Sequence, residues 1–439
     1  MKVLLVTAMV AGGVGGHVRM LARGLVEAGH RVVVACPAEV GERFGLARTG
    51  AVVVPVEVGS GLRPVQDLRA VRTLRRLAAG ADVVHAHGMR AGALAVLARG
   101  PGAGRRVARL RGRLPTLQPH PSEAGAGRPP LVVTVHNAPP TGRRSSLVYE
   151  LLERVVHAGA DLVLGVSPDL VERAGARGAR QVDLAVVPAD LTGAVLPAGR
   201  PGVRAQIRHR LEIEDGQLLL LTVGRLGAQK RTDEVLLAYQ ALFAGPAPSP
   251  AHGSPPARAS ASAPAPSPEQ RPEGVVLAVV GDGPELGALQ QLAADGPGEV
   301  HLLGRRDDVA ELLAAADVVV SAARWEGQPL WLQEALGAGA PIVATDVGGT
   351  GVVVGEAARL VRVGDGTGPG AVRARVETLR DALQEVLGDA GLRADLSDRA
   401  LRRAGQLPSA SEAVTAALEA YARAGGTTYR DRPGNPGRT

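Results

Sequence analysis

The stretch Leu218-Leu219-Leu220-Leu221-Thr222-Val223-Gly224-Arg225-Leu226-Gly227-Ala228-Gln229-Lys230 decides the fold. Six apolar or small residues in a row, without polar alternation, read as a strand buried on both faces, the mark of a parallel sheet covered by helices. The run stops at Gly224, and cations stand at Arg225 and Lys230, at the strand's carboxyl end, where open α/β sheets bind ligands. Similar runs occur along the chain: Lys2–Thr7, Arg31–Ala35, Ala51–Val54, Val83–His85, Leu131–Thr134, Leu162–Gly165 and Ala185–Val187 in the first half. Val275–Val280, Val300–Leu303, Val318–Ser321, Pro341–Ala344 and Arg359–Val361 follow in the second. Helical spacing fills the gaps, as from about Gly16 to Ala28 and over Val65–Ala79, with Val65, Leu68, Val71, Leu74 and Leu77 on one face. Alternation of this kind predicts an α/β chain of two Rossmann-like domains with parallel, doubly wound sheets.

With 439 residues, two or three domains are expected. The expected boundaries are 1–195 and 196–408, with a Pro/Gly/Ala-rich linker over Pro188–Val203, a last helix over about Ala410–Ala424 (domain bounds 409–425) and a disordered tail from 426. Gly245–Glu273 is Pro/Ala/Ser low complexity and reads as a disordered insertion; Arg99–Pro130 is similar but basic. Apolar runs of six or seven residues are far short of the roughly 20 that span a bilayer. The single cysteine, Cys36, rules out an intramolecular disulfide, and no segment reads as a signal peptide, so a cytoplasmic protein is expected. The net charge of +7 suits an anionic partner, and few aromatics and no zinc-finger spacing argue against nucleic acid. Lys2 and Lys230 are the only lysines among fifty basic residues, which sets Lys230 apart.

The densest chemical signal is Arg324-Trp325-Glu326-Gly327-Gln328-Pro329-Leu330-Trp331-Leu332-Gln333-Glu334-Ala335-Leu336. Pro329 suits the first turn of a helix, which places Glu326 on the preceding loop and Glu334 about one and a half turns inside. The helix N-terminus suits a diphosphate, Arg225 and Lys230 can neutralise it, and the two carboxylates can accept hydrogen bonds from sugar and ribose hydroxyls.

These strings resemble the motifs of the family-4 retaining glycosyltransferases, which have the GT-B fold of two such domains facing across a cleft. Glu326–Glu334 resembles the E-x7-E motif, and Val223–Lys230 the G-R-L-x-x-x-K motif. Val279–Glu285 resembles the G-x-G-P element, and Val343–Gly349 the V-A-T-D-V-G-G turn. Gly12-Gly13-Val14…His17-Val18 resembles the Gly-rich loop, and His85-Ala86-His87-Gly88 and Val133–Asn137 the two histidine-bearing strand ends. The resemblance implies a metal-independent, retaining hexosyltransferase using a nucleotide diphosphate-sugar, with UDP as the base by default, no resident cofactor, and an acceptor that stays unidentified. It implies that Arg225 and Lys230 bind the diphosphate, Glu334 the ribose and Glu326 the sugar hydroxyls, with Gly327 and Leu330 completing the donor site. Gly12 and Gly13 would approach the phosphates from the other domain, His136 would lie at the reaction centre, and the final helix would brace the N-terminal domain. Gln328 stands where the family has an aromatic, Pro188-Ala189-Asp190-Leu191-Thr192 lacks the Asn of the family's P-N-G-V-D element, and Thr350-Gly351 replace a Pro-Glu pair; these departures bear on the donor, not the fold.

Among the other candidates, His87 is weighed as an acceptor contact, His85 less so, while His17, Trp325 and Trp331 read as structural. Arg105–Arg113, with five arginines and no acid, is weighed as a contact to anionic membrane lipid, which would place the protein at the inner face of the membrane. A non-catalytic nucleotide-sugar-binding GT-B protein is the alternative. An NAD(P)-dependent oxidoreductase is disfavoured, because the second strand ends at Ala35-Cys36-Pro37 without the acid that would bind ribose.

Overall fold

The computed structural model describes residues 1–10, 12–59, 61, 63–100, 128–140, 142–191, 199–243 and 274–426. The basic run Arg105–Arg113, the low-complexity segment Gly245–Glu273 and the tail beyond Gly426 lie outside these residues. The chain divides into two compact units, Met1–Ala189 with the segment from Pro408 onward, and Asp190–Leu407.

Unit 1 is a seven-stranded parallel sheet in the order β3-β2-β1-β4-β5-β6-β7. Its strands are β1 (Lys2–Thr7), β2 (Arg31–Cys36), β3 (Val52–Pro55), β4 (Val83–His87), β5 (Leu131–Val135), β6 (Leu162–Gly165) and β7 (Val182–Leu184). Its helices are α1 (Gly13–Glu27), α2 (Ala38–Arg43), α3 (Pro64–Ala78), α4 (Met89–Ala98), α5 (Arg143–Gly159) and α6 (Pro168–Ala176). Every residue of β4 and β5 is buried, which is why these segments read as aliphatic runs without polar alternation.

Unit 2 carries α7 (Arg200–Arg210), β8 (Leu218–Val223), α8 (Thr232–Gln240), β9 (Val275–Val280), α9 (Leu286–Asp295), β10 (Glu299–Gly304), α10 (Val309–Ala315), β11 (Val318–Ser321), α11 (Leu330–Gly337), β12 (Ile342–Thr345), α12 (Thr350–Val354), β13 (Ala358–Val361), α13 (Pro369–Gly388) and α14 (Ala390–Ala404). Its sheet is parallel, in the order β10-β9-β8-β11-β12-β13. One apolar cluster covers each face of this sheet: Leu219, Leu221, Val319 and Ile342 point to one, and Leu220, Leu277, Val320 and Val343 to the other. The alternation along each strand puts successive side chains on opposite faces.

The last helix, α15 (Ala410–Ala424), belongs to unit 1. Ser409 and Glu412 close its N-terminus with a reciprocal capping box. It packs against α1, β5 and β6. The approach to α1 depends on Gly24: a Cβ there would lie 2.4 Å from Val414 Cγ2.

Several elements differ from the sequence reading. Helix α1 starts at Gly13, because Gly12 caps it with φ 54°, a conformation that favours glycine. The last strand of unit 1 is Val182–Leu184 rather than Ala185–Val187; β6 ends at Gly165, which pairs with Leu184, so the ladder stops there although Ala185 and Val187 are buried beyond it. In α3 the buried face is Ala70, Leu74 and Ala78, whereas Val65 and Leu68 are 66% and 47% exposed. Ala70 and Ala78, on either side of Leu74, let α3 lie close to α4, and that contact outweighs the larger apolar stripe. Helix α4 is largely apolar and buried apart from Arg90 and Leu97, and the sequence reading assigns no element there. The expected linker Pro188–Val203 contains the start of α7 at Arg200.

Candidate active site

In unit 2 the strand order reverses between β8 and β11, the point in an open α/β sheet where neighbouring loops diverge and leave a crevice. Two hydrogen bonds to backbone carbonyls tie those loops together. Gln229 Nε2 donates to Trp325 O at 2.8 Å, and Arg324 N donates to Gln229 O at 2.8 Å. This brings Lys230 against Glu326, and Lys230 Nζ and Glu326 Oε1 form an ion pair. Glu326 is 6% exposed, so Lys230 supplies a counter-charge where water is largely excluded.

Each partner is held from behind. Arg231, just after Lys230, sits at φ 49°, a backbone state that costs a non-glycine residue about 1–3 kcal/mol. Its buried side chain lies 3.6 Å from Glu234, which Arg375 grips through Nε and Nη2 at 2.8 and 2.5 Å. Glu326 O accepts from Gly349 N at 3.0 Å. Gly348 lies at φ 54°, and a Cβ there would stand 2.0 Å from Glu326 O, so the Val343–Gly349 turn supports Glu326 only while it carries this glycine. In the Val279–Glu285 element, Gly281 (φ 137°) serves β8 in the same way: its Cβ would lie 1.8 Å from Gly224 O.

Arg225 is exposed and makes no ion pair among the described residues. Pro329 is the extended N-cap of α11 rather than a residue of its first turn. Glu334 projects from the second turn, half-buried. Its carboxyl is pushed above the usual range by burial first and by Asp190 second, and no hydrogen bond or ion pair holds it among the described residues. The structure thus joins Lys230 to Glu326 and leaves Arg225 and Glu334 without protein partners there. A small cavity at the end of β8 is lined by Thr222, Gly224, Lys230, Ser321 and Trp331. The sequence reading did not single out Thr222 or Ser321, and it read Trp331 as core. The indole Nε1 of Trp331 is buried without a hydrogen-bond partner among the described residues.

In unit 1 the reversal lies between β1 and β4. Gly12 and Gly13 stand at the end of β1, and a Cβ on Gly12 would meet no atom within 4 Å, so the space before the α1 N-terminus is open. Gly15 has a different task, since its Cβ would fall 2.2 Å from the Phe44 ring. Side chains two apart on a strand share a face, so His85 and His87 on β4 stand beside Thr134 on β5 and His136 just after it. His87 Nδ1 and His136 Nε2 share a hydrogen bond of 3.2 Å. His17, read as structural, is buried with its ring centroid 5.6 Å from that of His87 and 5.7 Å from that of His136.

Burial keeps all four imidazoles neutral. His17 is lowered to about 4 by burial, and His85 to about 3 by burial and then by His17. His87 and His136 lie well below the usual histidine range, from burial first and neighbouring imidazoles second. Among the described residues no group of three or more His, Cys, Asp or Glu side chains is arranged to hold a metal. Cys36 is buried, and its thiol is raised to about 11 by burial and then by Glu57, which removes it as a nucleophile at neutral pH. No helix among the described residues is long and apolar enough to cross a membrane.

Residues 12–190 match the model of the glycosyl transferase 4-like domain, and residues 261–387 that of the glycosyl transferases group 1. The chain is 36% identical over 128 residues to the N-acetyl-alpha-D-glucosaminyl L-malate synthase of Bacillus anthracis, covering 28% of this chain and 31% of that one. It is 28% identical over 229 residues to the putative teichuronic acid biosynthesis glycosyltransferase TuaC of Bacillus subtilis (strain 168), covering 52% and 49%. It is 34% identical over 82 residues to the UDP-Gal:alpha-D-GlcNAc-diphosphoundecaprenol alpha-1,3-galactosyltransferase of Escherichia coli, covering 18% and 21%. The match thus spans at most about half the length of each of these relatives. Among solved structures, Anabaena Alr3699/HepE in complex with UDP superposes with a TM-score of 0.68 at 18% identity, over 96% of this chain and 99% of that one. WaaG, a glycosyltransferase involved in lipopolysaccharide biosynthesis, does so at 0.58 and 18%, over 95% and 98%. At these identities the structures show the fold, and that fold is GT-B.

Proposed function

We propose that this chain, whose two halves match glycosyltransferase domain models, is a retaining glycosyltransferase that draws a hexose from a nucleotide diphosphate-sugar without a metal. The observation that carries the reading is the Lys230–Glu326 pair at the reversal point of unit 2, with Arg225 and Glu334 lacking hydrogen-bond or ion-pair partners among the described residues around it. Arg225 and Lys230 neutralise the departing diphosphate, the role a metal plays elsewhere. Glu334 accepts the ribose hydroxyls, and Glu326, paired with Lys230, accepts those of the donor sugar. Gly327 and the α11 N-terminus at Leu330 offer backbone N–H groups to the same ligand. Gly12 and Gly13 open the α1 N-terminus of unit 1 to phosphate, and His136, neutral at pH 7, hydrogen-bonds at the reacting sugar. UDP is the favoured base, in keeping with the UDP-bound relative of the same fold and with the UDP-Gal donor in the name of the Escherichia coli relative. The acceptor is a separate question, and the Arg105–Arg113 run gives the chain a basic segment for an anionic membrane surface.

A thermal-shift panel of UDP-, GDP- and ADP-sugars tests the reading. A UDP-sugar should raise Tm, and incubation without acceptor should release UDP slowly with the sugar's anomeric configuration retained by NMR. Binding without any turnover would leave a nucleotide-sugar-binding protein, and no binding would overturn the assignment of Arg225, Lys230 and Glu334.

A further inference from the structure

One imidazole of the unit 1 cluster has both nitrogens engaged by side chains. His85 Nδ1 shares a hydrogen bond of 2.9 Å with Tyr421 Oη, and His85 Nε2 shares one of 2.7 Å with Thr134 Oγ1. Tyr421 is fully buried and comes from α15, 336 residues further along the chain. A neutral imidazole has one N–H and one lone pair, so one hydroxyl donates to His85 and the other accepts from it. Those two bonds fix the ring's plane and give its tautomer a defined choice. His85 in turn lies face to face with His87, ring centroids 4.2 Å apart and tilted by 35°, and His87 stacks on His136 at 5.4 Å while sharing the hydrogen bond already described. His87 Nε2 and His17 Nδ1 are buried without partners, so nothing else among the described residues holds His87 by hydrogen bonding.

We propose that Tyr421 is a positioning residue for the His87–His136 pair, acting through His85, so that the C-terminal helix sets the geometry of the histidine at the reaction centre as well as covering the sheet. The inference rests on the functional reading given above for His136. Two features keep α15 in register for this task. The capping box at Ser409 fixes its first turn, and Arg423 Nη2 pairs with Asp183 Oδ2 at 2.6 Å near its end. The Arg423–Asp183 pair is half-exposed and, among the described residues, shares no hydrogen bond with the imidazoles, so it separates helix docking from imidazole positioning.

Tyr421→Phe keeps the ring and removes the hydroxyl. Thr134→Val removes the other hydroxyl without changing shape, and Arg423→Ser loosens the same helix without touching the cluster. Two readouts are taken on the full chain: kcat and donor KM, and the tautomer signals of the 15N-labelled histidines by long-range NMR. Tyr421→Phe and Thr134→Val should each lower kcat about tenfold, the scale of a small positional error in a reacting group, with donor KM unchanged. Both should shift the His87 and His136 signals. Arg423→Ser should lower Tm while leaving kcat and those signals in place. The proposal is overturned if the hydroxyl variants leave the His87 and His136 signals unmoved, or if all three variants lose kcat only in proportion to lost Tm. If the wild type turns over no donor sugar, the transferase reading fails first, and the NMR signals alone then decide whether Tyr421 orients the pair. Should one hydroxyl variant fail to fold, the other carries the same test from the opposite side of His85.

Discussion

The carboxyl ends of β8 and β11 in unit 2 and of β1 and β4 in unit 1 flank the point where each parallel sheet reverses its strand order. One is furnished with ions and the other with neutral rings. Around β8 and β11 stand exposed Arg225, half-buried Lys230 and Glu334, and buried Glu326, which pairs with Lys230. Around β4 stand His17, His85, His87 and His136, all buried and held below neutral-pH titration. The difference teaches that one topology offers a crevice whose chemistry is set by depth. Charges survive at the rim, where water and a counter-ion stabilise them. In the interior the same crevice keeps only groups that can lose their charge.

The largest expected effect removes a cation from the rim. Lys230→Ala and Arg225→Ala should each lower kcat on the order of 10²–10³, as for loss of one preorganised donor to a developing anion. Steady-state kinetics with a UDP-sugar checks this, and both mutants keeping more than about half of wild-type kcat/KM would remove the diphosphate role and with it the contrast. Next is the glycine that lets β9 approach β8. Gly281→Ala forces a Cβ to 1.8 Å from Gly224 O at φ 137°, and should cost about 3 kcal/mol of stability, read as a lower midpoint in urea. A midpoint near wild type would mean that the rim tolerates backbone movement that the geometry denies it.

The third test titrates the interior. The folded histidines lie below the unfolded value of about 6.5, so the unfolded chain binds more protons at mildly acid pH. The stability contribution is therefore complete above about pH 6.5 and is lost as pH falls toward about 4, by about 2 kcal/mol at pH 5 for each imidazole kept neutral. His17→Gln should flatten the fall of Tm between pH 7 and pH 5; an unchanged slope would show that His17 is not among the groups kept neutral. The smallest effect is at Glu334. Because its carboxylate has no protein hydrogen bond among the described residues, Glu334→Gln should leave Tm in place and weaken UDP binding about tenfold, or about 1.4 kcal/mol. Calorimetry showing unchanged affinity would return Glu334 to a purely local role on α11.

The sequence by itself determined the strands and the loops that carry charge. Leu218–Val223, Val275–Val280 and Val318–Ser321 are legible because strands buried on both faces admit few residue types, and burial is local in its demand. Lys230 and Glu326 are legible because ionised groups at strand ends have no structural reason to recur in that pattern. Tertiary structure alone decided which face of α3 is buried, where Ala70 and Ala78 beside Leu74 are buried and Val65 and Leu68 face solvent. It alone brought Tyr421 onto His85, and gathered His17, read as structural, with His85, His87 and His136 into one neutral cluster. Spacing along the chain carries no trace of a hydrogen bond across 336 residues, and a histidine's protonation is set by the depth at which the folded chain places it.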